Sequence, residues 1–518
     1  MERTTCCVVG GGPAGLMLGL LLARAGVEVT VLEKHGDFLR DFRGDTVHPS
    51  TLRLLDELGL GERFARLPAQ KLREMRMRID DTTVVAGDLR HIPGQHKYIA
   101  MVPQWDFLDL LAREAATEPS FTLRMRTAAT GLLTDASGRV TGVRYLTDDG
   151  TSGELTADLT VACDGRRSLV RTAAGLTPTA YDVPIDVWQV RVPAPPDASK
   201  SGRVFLSVRD GQIAATMDRG EYYQTSYLIE KGADAELRAH GIDWFRDRLG
   251  ALLGWDRATT AEIGSWDDVK LLEVTMDRLP RWYTRGLLCI GDAAHTMSPV
   301  GGVGVNLAVQ DAVAAARVLA EPLRRGDVDV RDLARVQKRR LLPTVVTQKQ
   351  QLAEHEMLLR PALAGTLRGD RLPVPLRMLR RVPPLRTVAE ISAAWACGRS
   401  ARRSSPGVAS AGDPVRLLPR EVGIELPREV GVEAEDGRPR AAVLLPGAQG
   451  GPAAGDQLPG LRAGPGAGQQ FGGQQRVGFH GAAQLGASSM ARVRSSAGAS
   501  AAEPVSRFRR GRAIRARR

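Results

Sequence analysis

Near its start the chain carries a glycine-rich turn between a strand-like and a helix-like stretch. Thr5 to Val9 is a short β-branched, cysteine-containing run that reads as a buried strand. Gly10-Gly11-Gly12-Pro13-Ala14-Gly15 follows, and Pro13 to Ala25 is an apolar helix closed by Gly26. Val27 to Leu32 is a second strand that leads into Glu33, 23 residues after Gly10. A strand, a crossover helix and a second strand in so short a length commit the chain to a parallel sheet. In that setting G-x-G-x-x-G has a physical reading. Gly10 permits the tight turn, Gly12 lets the backbone approach a pyrophosphate, Gly15 allows close helix packing, and the helix N-terminus supplies partial positive charge. Glu33 then stands where a carboxylate can accept both hydroxyls of an adenosine ribose. The motif predicts dinucleotide binding.

Two further glycine corners stand far along the chain. The apolar strand Leu287 to Ile290 runs into Gly291-Asp292-Ala293-Ala294-His295, and Pro299, Gly301, Gly302, Gly304, Val305 and Asn306 precede a helix over Val309 to Leu323. An Asp at a strand's C-terminal edge can bind a polyol hydroxyl, and a glycine turn before a helix offers backbone N–H groups to an electron-rich ring. Between these corners, Asp164-Gly165-Arg166-Arg167-Ser168 up to Arg171 supplies a strand end, a glycine turn and a hydroxyl suited to cap the next helix. The spacing suggests one long ligand, with its adenosine end at Gly10 to Glu33 and its ribityl and isoalloxazine end at Asp292 to Asn306.

The intervening chain is strand-rich. Phe121 to Cys163 reads as a β-meander punctuated by Asp135-Ala-Ser-Gly138 and Asp148-Asp-Gly150, and Tyr181 to Glu230 alternates with period two. Helices are expected over about Ser50 to Leu58, Gln104 to Ala116 and Asp243 to Leu253. The fold class is therefore α/β, with Rossmann-type elements interrupted by a mixed β-sheet; the family resemblance that the glycine corners carry implies that the former are a Rossmann-type FAD-binding domain of the GR2-like kind and the latter a substrate domain. The boundaries fall at 1–180 for the first part of the FAD-binding domain, 181–275 for the substrate sheet, and 276–395 for the second part and closing helices. Residues 396–518 are rich in Arg, Gly, Ala and Pro, and no segment there sustains a helical or strand period for long, so they are expected to be disordered. The same composition is what a shifted reading frame through GC-rich coding sequence would give.

Taken together, the three corners resemble the group A FAD-dependent monooxygenases, the aromatic hydroxylases related to p-hydroxybenzoate hydroxylase, over roughly residues 5 to 395. The resemblance implies that Gly10, Gly12, Gly15 and Glu33 bind the ADP half of FAD, and that Asp164, Gly165 and Arg171 form the Asp-Gly motif serving both FAD and the nicotinamide donor. It implies that Asp292 after Gly291 holds the ribityl chain, and that Pro299, Gly301, Gly302, Gly304, Val305 and Asn306 form the loop beside the flavin ring. Arg43 matches a position near the pyrophosphate, and Gln104 one that touches FAD. FAD would be bound noncovalently. NADPH or NADH would reduce it, O₂ would add to give a flavin C4a-hydroperoxide, and one oxygen would pass to an aromatic or polycyclic small molecule, in secondary metabolism such as antibiotic biosynthesis. No catalytic side chain is assigned, because in this family the cofactor carries the chemistry. The alternatives are an FAD-dependent oxidoreductase or dehydrogenase without oxygen insertion, a Baeyer–Villiger or epoxidising monooxygenase, and a redox-silent FAD-binding protein.

Other features are read conservatively. His295 is expected to play a structural hydrogen-bonding role, and His48 and Asp45 to be solvated loop residues. Trp188, Met217, Tyr222, Tyr223 and Tyr227 are expected on the substrate side of the middle sheet. Of the formal charge of +12, +10 falls in residues 399–518, where 19 Arg face 9 acidic residues, so the body is nearly neutral and no nucleic-acid partner is expected. Five well-separated or adjacent Cys without a C-x-x-C read as reduced thiols of a cytoplasmic protein, with no metal set. Thr4 to Ala23 is uncharged, but its Gly-Gly-Gly-Pro centre argues against a membrane span or signal segment. The oligomeric state is left open.

Overall fold

The computed structural model describes residues 2–39, 46–194 and 204–381. In chain order, the first elements that bear on the site are β1 (Glu2–Val9), α1 (Pro13–Arg24), β2 (Val29–Leu32), α2 (Pro49–Glu57), β3 (Glu74–Ile79), β4 (Thr82–Asp88), α3 (Gln104–Ala115) and β5 (Phe121–Arg124). They continue with β6 (Ser152–Ala162), α4 (Leu169–Ala173), β7 (Ile185–Pro193), β8 (Val204–Arg209), β9 (Gln212–Asp218), β10 (Tyr222–Glu230) and α5 (Ile242–Leu253). The last are β11 (Lys270–Leu272), β12 (Leu287–Cys289), α6 (Gly304–Arg325) and α7 (Val330–Glu354).

β12, β6, β1, β2 and β5 lie side by side in that order and run parallel, with Cys6 opposite Val29, Val8 opposite Val161 and Ala162 opposite Cys289. The stretches 6–9, 29–32, 159–162 and 287–289 are buried throughout because both faces of a parallel sheet are covered. α1 and α6 pack on each other and belong to the same core as the strands. Strands Thr127–Thr134 and Val140–Thr147 form the expected meander: they pair antiparallel with each other, and Val140–Thr147 pairs antiparallel with β6. The buried thiols of Cys6, Cys7, Cys163 and Cys289 are all raised in pKa by desolvation, as befits small apolar core residues. α6 lies in the apolar segment Val300–Arg325, long enough to cross a bilayer, but 89% of its most apolar window is buried inside the fold.

A second sheet of seven strands has the order β11-β7-β10-β9-β8-β3-β4. Two of its strands come from residues 74–88, which the sequence reading placed with the first domain. β3 pairs in parallel with β8, far along the chain, and β4 pairs antiparallel with β3. One face of this sheet is covered by α5. Trp188 and Tyr227 lie on that face, edge-on to Phe245 at ring-centroid distances of 5.1 and 5.3 Å, and Tyr223 stacks on Trp255 at 5.5 Å. The expectation that these three aromatics line a substrate side is corrected: the apolar stripe of α5, with Phe245, Leu249 and Leu252, needs a partner surface, and they supply it. The opposite face carries the register row Gln189, Ser226, Ala215, Leu206 and Met77, with Met217 beside it. The tail expected over 396–518 lies outside the described residues.

Candidate functional site

The parallel strands end at one edge of the first sheet, and their hydrogen-bond ladder runs on into the loops that follow. Gly10 N–H donates to Leu32 O (2.8 Å), Cys163 N–H to Val9 O (2.7 Å) and Ile290 N–H to Ala162 O (3.1 Å). The three glycine corners are thereby brought into contact. A Cβ on Gly10, whose φ is +106°, would lie 2.4 Å from Cys163 O, and one on Gly15 would lie 1.9 Å from Gly10 O. Gly291 sits between α1 and α6, where a Cβ would come within 3.2 Å of Ala14 Cβ and 3.4 Å of Ala308 Cβ.

Two glycines behave differently. Among the described residues, chain neighbours and the residue's own helix aside, no atom lies within 4 Å of a Cβ added at Gly12 or at Gly304. Gly12 has an ordinary extended backbone at φ −78° and ψ −172°. Neither conformation nor packing within the protein requires glycine there. Both residues open a helix, α1 and α6, whose first-turn N–H groups precede the first intrahelical bonds, from Leu16 to Gly12 O and from Leu307 to Val303 O. A helix N-terminus opened by glycine lets an extended, electron-rich ligand such as FAD approach its amides closely, and the two helices both abut Gly291 through Ala14 and Ala308.

The remaining expected residues surround these openings. Glu33 is buried at the end of β2; it accepts the Gly11 N–H at 2.9 Å through Oε2 and the His35 N–H at 3.0 Å through Oε1. Gln104 opens α3, which packs on α1. Asp164 accepts from Ser168 Oγ at 2.5 Å and from the Val170 N–H at 3.1 Å, and burial raises its carboxyl above the ordinary value against the pull of those bonds. Ser168 in turn accepts the Arg171 N–H at 2.9 Å and caps α4. Gly165, at φ +85°, makes the turn between them. The buried Arg171 guanidinium donates to Ala293 O (3.3 Å) and Arg166 O (2.8 Å), which ties the Asp-Gly corner to the Gly-Asp corner. Asp292 is half-buried in the turn Gly291–Ala293. Arg43 and Asp45 lie outside the described residues.

The loop Pro299 to Asn306 is held from two sides. Asn306 is fully buried and uses its whole amide: Oδ1 accepts from His48 N–H (2.9 Å) and Thr51 Oγ1 (2.8 Å), while Nδ2 donates to Thr46 O (3.0 Å) and Gly302 O (3.2 Å). What Asn306 has left for a ligand is its backbone N–H beside those of Gly304 and Val305. Thr46 Oγ1 also donates to Gly302 O at 2.7 Å. From α7, Gln351 accepts the Ser298 N–H and donates to Ser298 O (2.9 Å) and Val300 O (2.7 Å). Pro299 and Gly301 remain exposed, and Val300 packs on the cluster containing Val187, Ile213 and Leu228 of the second sheet. The loop therefore packs on the same core cluster as the sheet face opposite α5.

His48 is buried, contrary to the expectation of a solvated loop. The first turn of α2 and the loop bound by Asn306 enclose it, and burial lowers its imidazole from 6.5 to about 4 despite a hydrogen bond to the Gly301 backbone. His295 has the hydrogen-bonding position expected of it: its Nε2 lies 2.7 Å from Asp311 Oδ2. Asp311, Thr46 and Gln351 escaped sequence reasoning. Asp311 had a legible signal, as the one acidic residue in the apolar run Val305 to Ala320.

A family model described as "FAD binding domain" matches residues 3–349. The chain is 34% identical over 389 residues to the 6-methylpretetramide 4-monooxygenase of Streptomyces rimosus, covering 74% of this chain and 91% of that protein. It is 29% identical over 316 residues to the rifampicin monooxygenase of Streptomyces venezuelae, 59% of this chain and 61% of that one. Among solved structures, PqsL of Pseudomonas aeruginosa, a probable FAD-dependent monooxygenase, superposes with a TM-score of 0.60 at 22% identity over 70% of this chain and 99% of its own. The anhydrotetracycline hydroxylase of Streptomyces rimosus gives 0.61 at 24% identity over 76% of each chain. At these identities the two structures speak to the fold.

Proposed function

The chain belongs to the FAD binding domain family, and from that premise we propose that it is an FAD-dependent monooxygenase that hydroxylates an aromatic or polycyclic small molecule in secondary metabolism. The observation that carries this reading is the pair of helix-opening glycines, Gly12 and Gly304, that no packing among the described residues requires, on two helices that both abut Gly291. When bound, FAD takes electrons from NADPH or NADH and lets O₂ deliver one oxygen atom to the substrate and the other to water.

The chain's own residues have the tasks of holding, orienting and enclosing. Gly10, Gly12 and Gly15 would present the α1 N-terminus to the pyrophosphate, with Glu33 for the adenosine ribose, and Arg43 and Gln104 close by. Asp164, Gly165 and Arg171 would brace the corner from the side, and Asp292 after Gly291 would meet the ribityl hydroxyls. Pro299 and Gly301 to Asn306 would lie along the ring, with the α6 amides directed at its electron-rich edge. The face of the second sheet that carries Gln189, Ser226 and Ala215 would close over the aromatic substrate, since Val300 of the ring loop packs on the core cluster to which that face contributes Val187, Ile213 and Leu228. Names such as 6-methylpretetramide 4-monooxygenase, anhydrotetracycline monooxygenase and pentachlorophenol 4-monooxygenase among the relatives favour an aromatic substrate.

The test is turnover under ¹⁸O₂ with NADPH or NADH and a panel of polycyclic phenols. Label from O₂ in the product, with nicotinamide oxidation stimulated by the phenol, supports the monooxygenase. Oxidised product without label contradicts it and points to a dehydrogenase.

A further inference from the structure

α6 is apolar around Asp311, which is 0% exposed and flanked by the buried Gln310 and Ala312. A carboxylate there must be paired. Arg340 of α7, also 0% exposed, supplies the charge through Nε at 2.7 Å from Oδ1. Burial would raise the carboxyl, but His295 and Arg340 beside it bring it below its ordinary value. An ion pair alone would need no more than this. The other oxygen, Oδ2, takes both its partners from one short segment of chain: the Gly291 N–H at 3.0 Å and His295 Nε2 at 2.7 Å.

We propose that Asp311 is the positioning residue of the Gly-Asp turn, gripping Gly291 and His295 so that Asp292 between them is presented to the cofactor in one orientation. The proposal rests on the reading of this turn as part of the FAD site. Gly291 is at φ +59° and is wedged between Ala14 and Ala308, so its peptide direction is the geometry of the turn. Arg171 holds the far side through Ala293 O. Asp292 is thus bracketed by a bonded N–H before it, a bonded carbonyl after it and a bonded side chain at His295. Asp311 touches neither cofactor nor substrate and acts through the turn.

The double variant D311L/R340L removes both charges together and takes away the acceptor for Gly291, whereas D311N/R340L removes the charges but keeps an acceptor oxygen. Both should fold with unfolding midpoints within a few degrees of each other. The FAD Kd of the apoprotein should rise at least tenfold in D311L/R340L and return to within threefold of wild type in D311N/R340L. Equal FAD affinities in the two variants, or wild-type affinity in D311L/R340L, would overturn the proposal. A wild-type chain that binds no FAD would instead overturn the reading beneath it. His295→Leu leaves the ion pair whole and needs no flavin for its readout. Amide exchange across residues 287–296 should quicken at least fivefold in the apoprotein with β1 unchanged, and an unchanged rate in that segment, or a uniform rise across both, would also overturn the proposal.

Discussion

Glycines 12 and 15 stand three residues apart, yet only Gly15 is required by the protein's own packing. A Cβ at Gly15 would meet Gly10 O at 1.9 Å, so Gly15→Ala forces β1 and α1 apart and should cost about 3 kcal/mol of stability. The Cβ that Gly12→Val adds meets no atom of the described residues beyond its chain neighbours, so the change should cost the apoprotein at most about 1 kcal/mol, as a poorer helix N-cap, while abolishing FAD retention. Thermal unfolding and FAD titration of both variants check this; a G12V protein that purifies yellow would contradict it. His48 supports a prediction in pH. Its folded imidazole titrates near 4 and its unfolded one near 6.5, so between those values the unfolded chain binds more protons. Stability should rise with pH across that window and level off above it. Wild type should therefore lose up to about 3 kcal/mol more than His48→Gln on going from neutral pH to the lower end of that window, and parallel stability profiles would contradict the assignment. At this scale the sequence was legible where a residue's role is local, as for Gly15 against Gly10 and for Ser168 capping its own helix. It was silent where the role is tertiary: nothing beside His48 in the chain signals that Asn306, on another helix, will seal it in.

α6 and α7 act as the two jaws that hold the ring loop. α6 holds it through Asn306, and α7 through Gln351, whose amide satisfies the Ser298 N–H and the carbonyls of Ser298 and Val300. Gln351→Leu strands those backbone groups and should lower stability by about 3 kcal/mol. FAD would stay bound through α1 and α6, while the loosened loop lowers kcat roughly tenfold. Urea unfolding with steady-state turnover measures both, and wild-type kcat would show that the α7 contact does not position the loop. Helices and parallel strands were legible because their periodicity is carried locally: α1 was expected over Pro13 to Ala25 and ends at Arg24, and α3 was expected to Ala116 and ends at Ala115. β3 and β4 were not. Met75-Arg76-Met77-Arg78-Ile79 alternates as a strand should, but its parallel partner β8 is distant in sequence, and no local signal joins them. Trp188, Tyr223 and Tyr227 of β7 and β10 lie on the helix-covered face, which alternation alone could not show, because it gives a strand two sides without saying which one a helix will cover.

Across the whole molecule, residues 10–33, 162–171 and 287–306 meet at one sheet edge because β1, β2, β6 and β12 are parallel neighbours, which places all their C-terminal loops together. That convergence was inferable from motif spacing, since three strand-to-turn corners in one parallel sheet have only one edge to share. The identity of the substrate was not, because it depends on the shape of a pocket, which no local motif encodes. The most direct test of the account is the flavin content of the purified chain, with reconstitution of its apoprotein. The account predicts a yellow protein with one FAD per chain, released on denaturation because no covalent link holds it. A colourless chain that takes up no FAD from a solution at about 100 μM, where even weak specific sites fill, would contradict it.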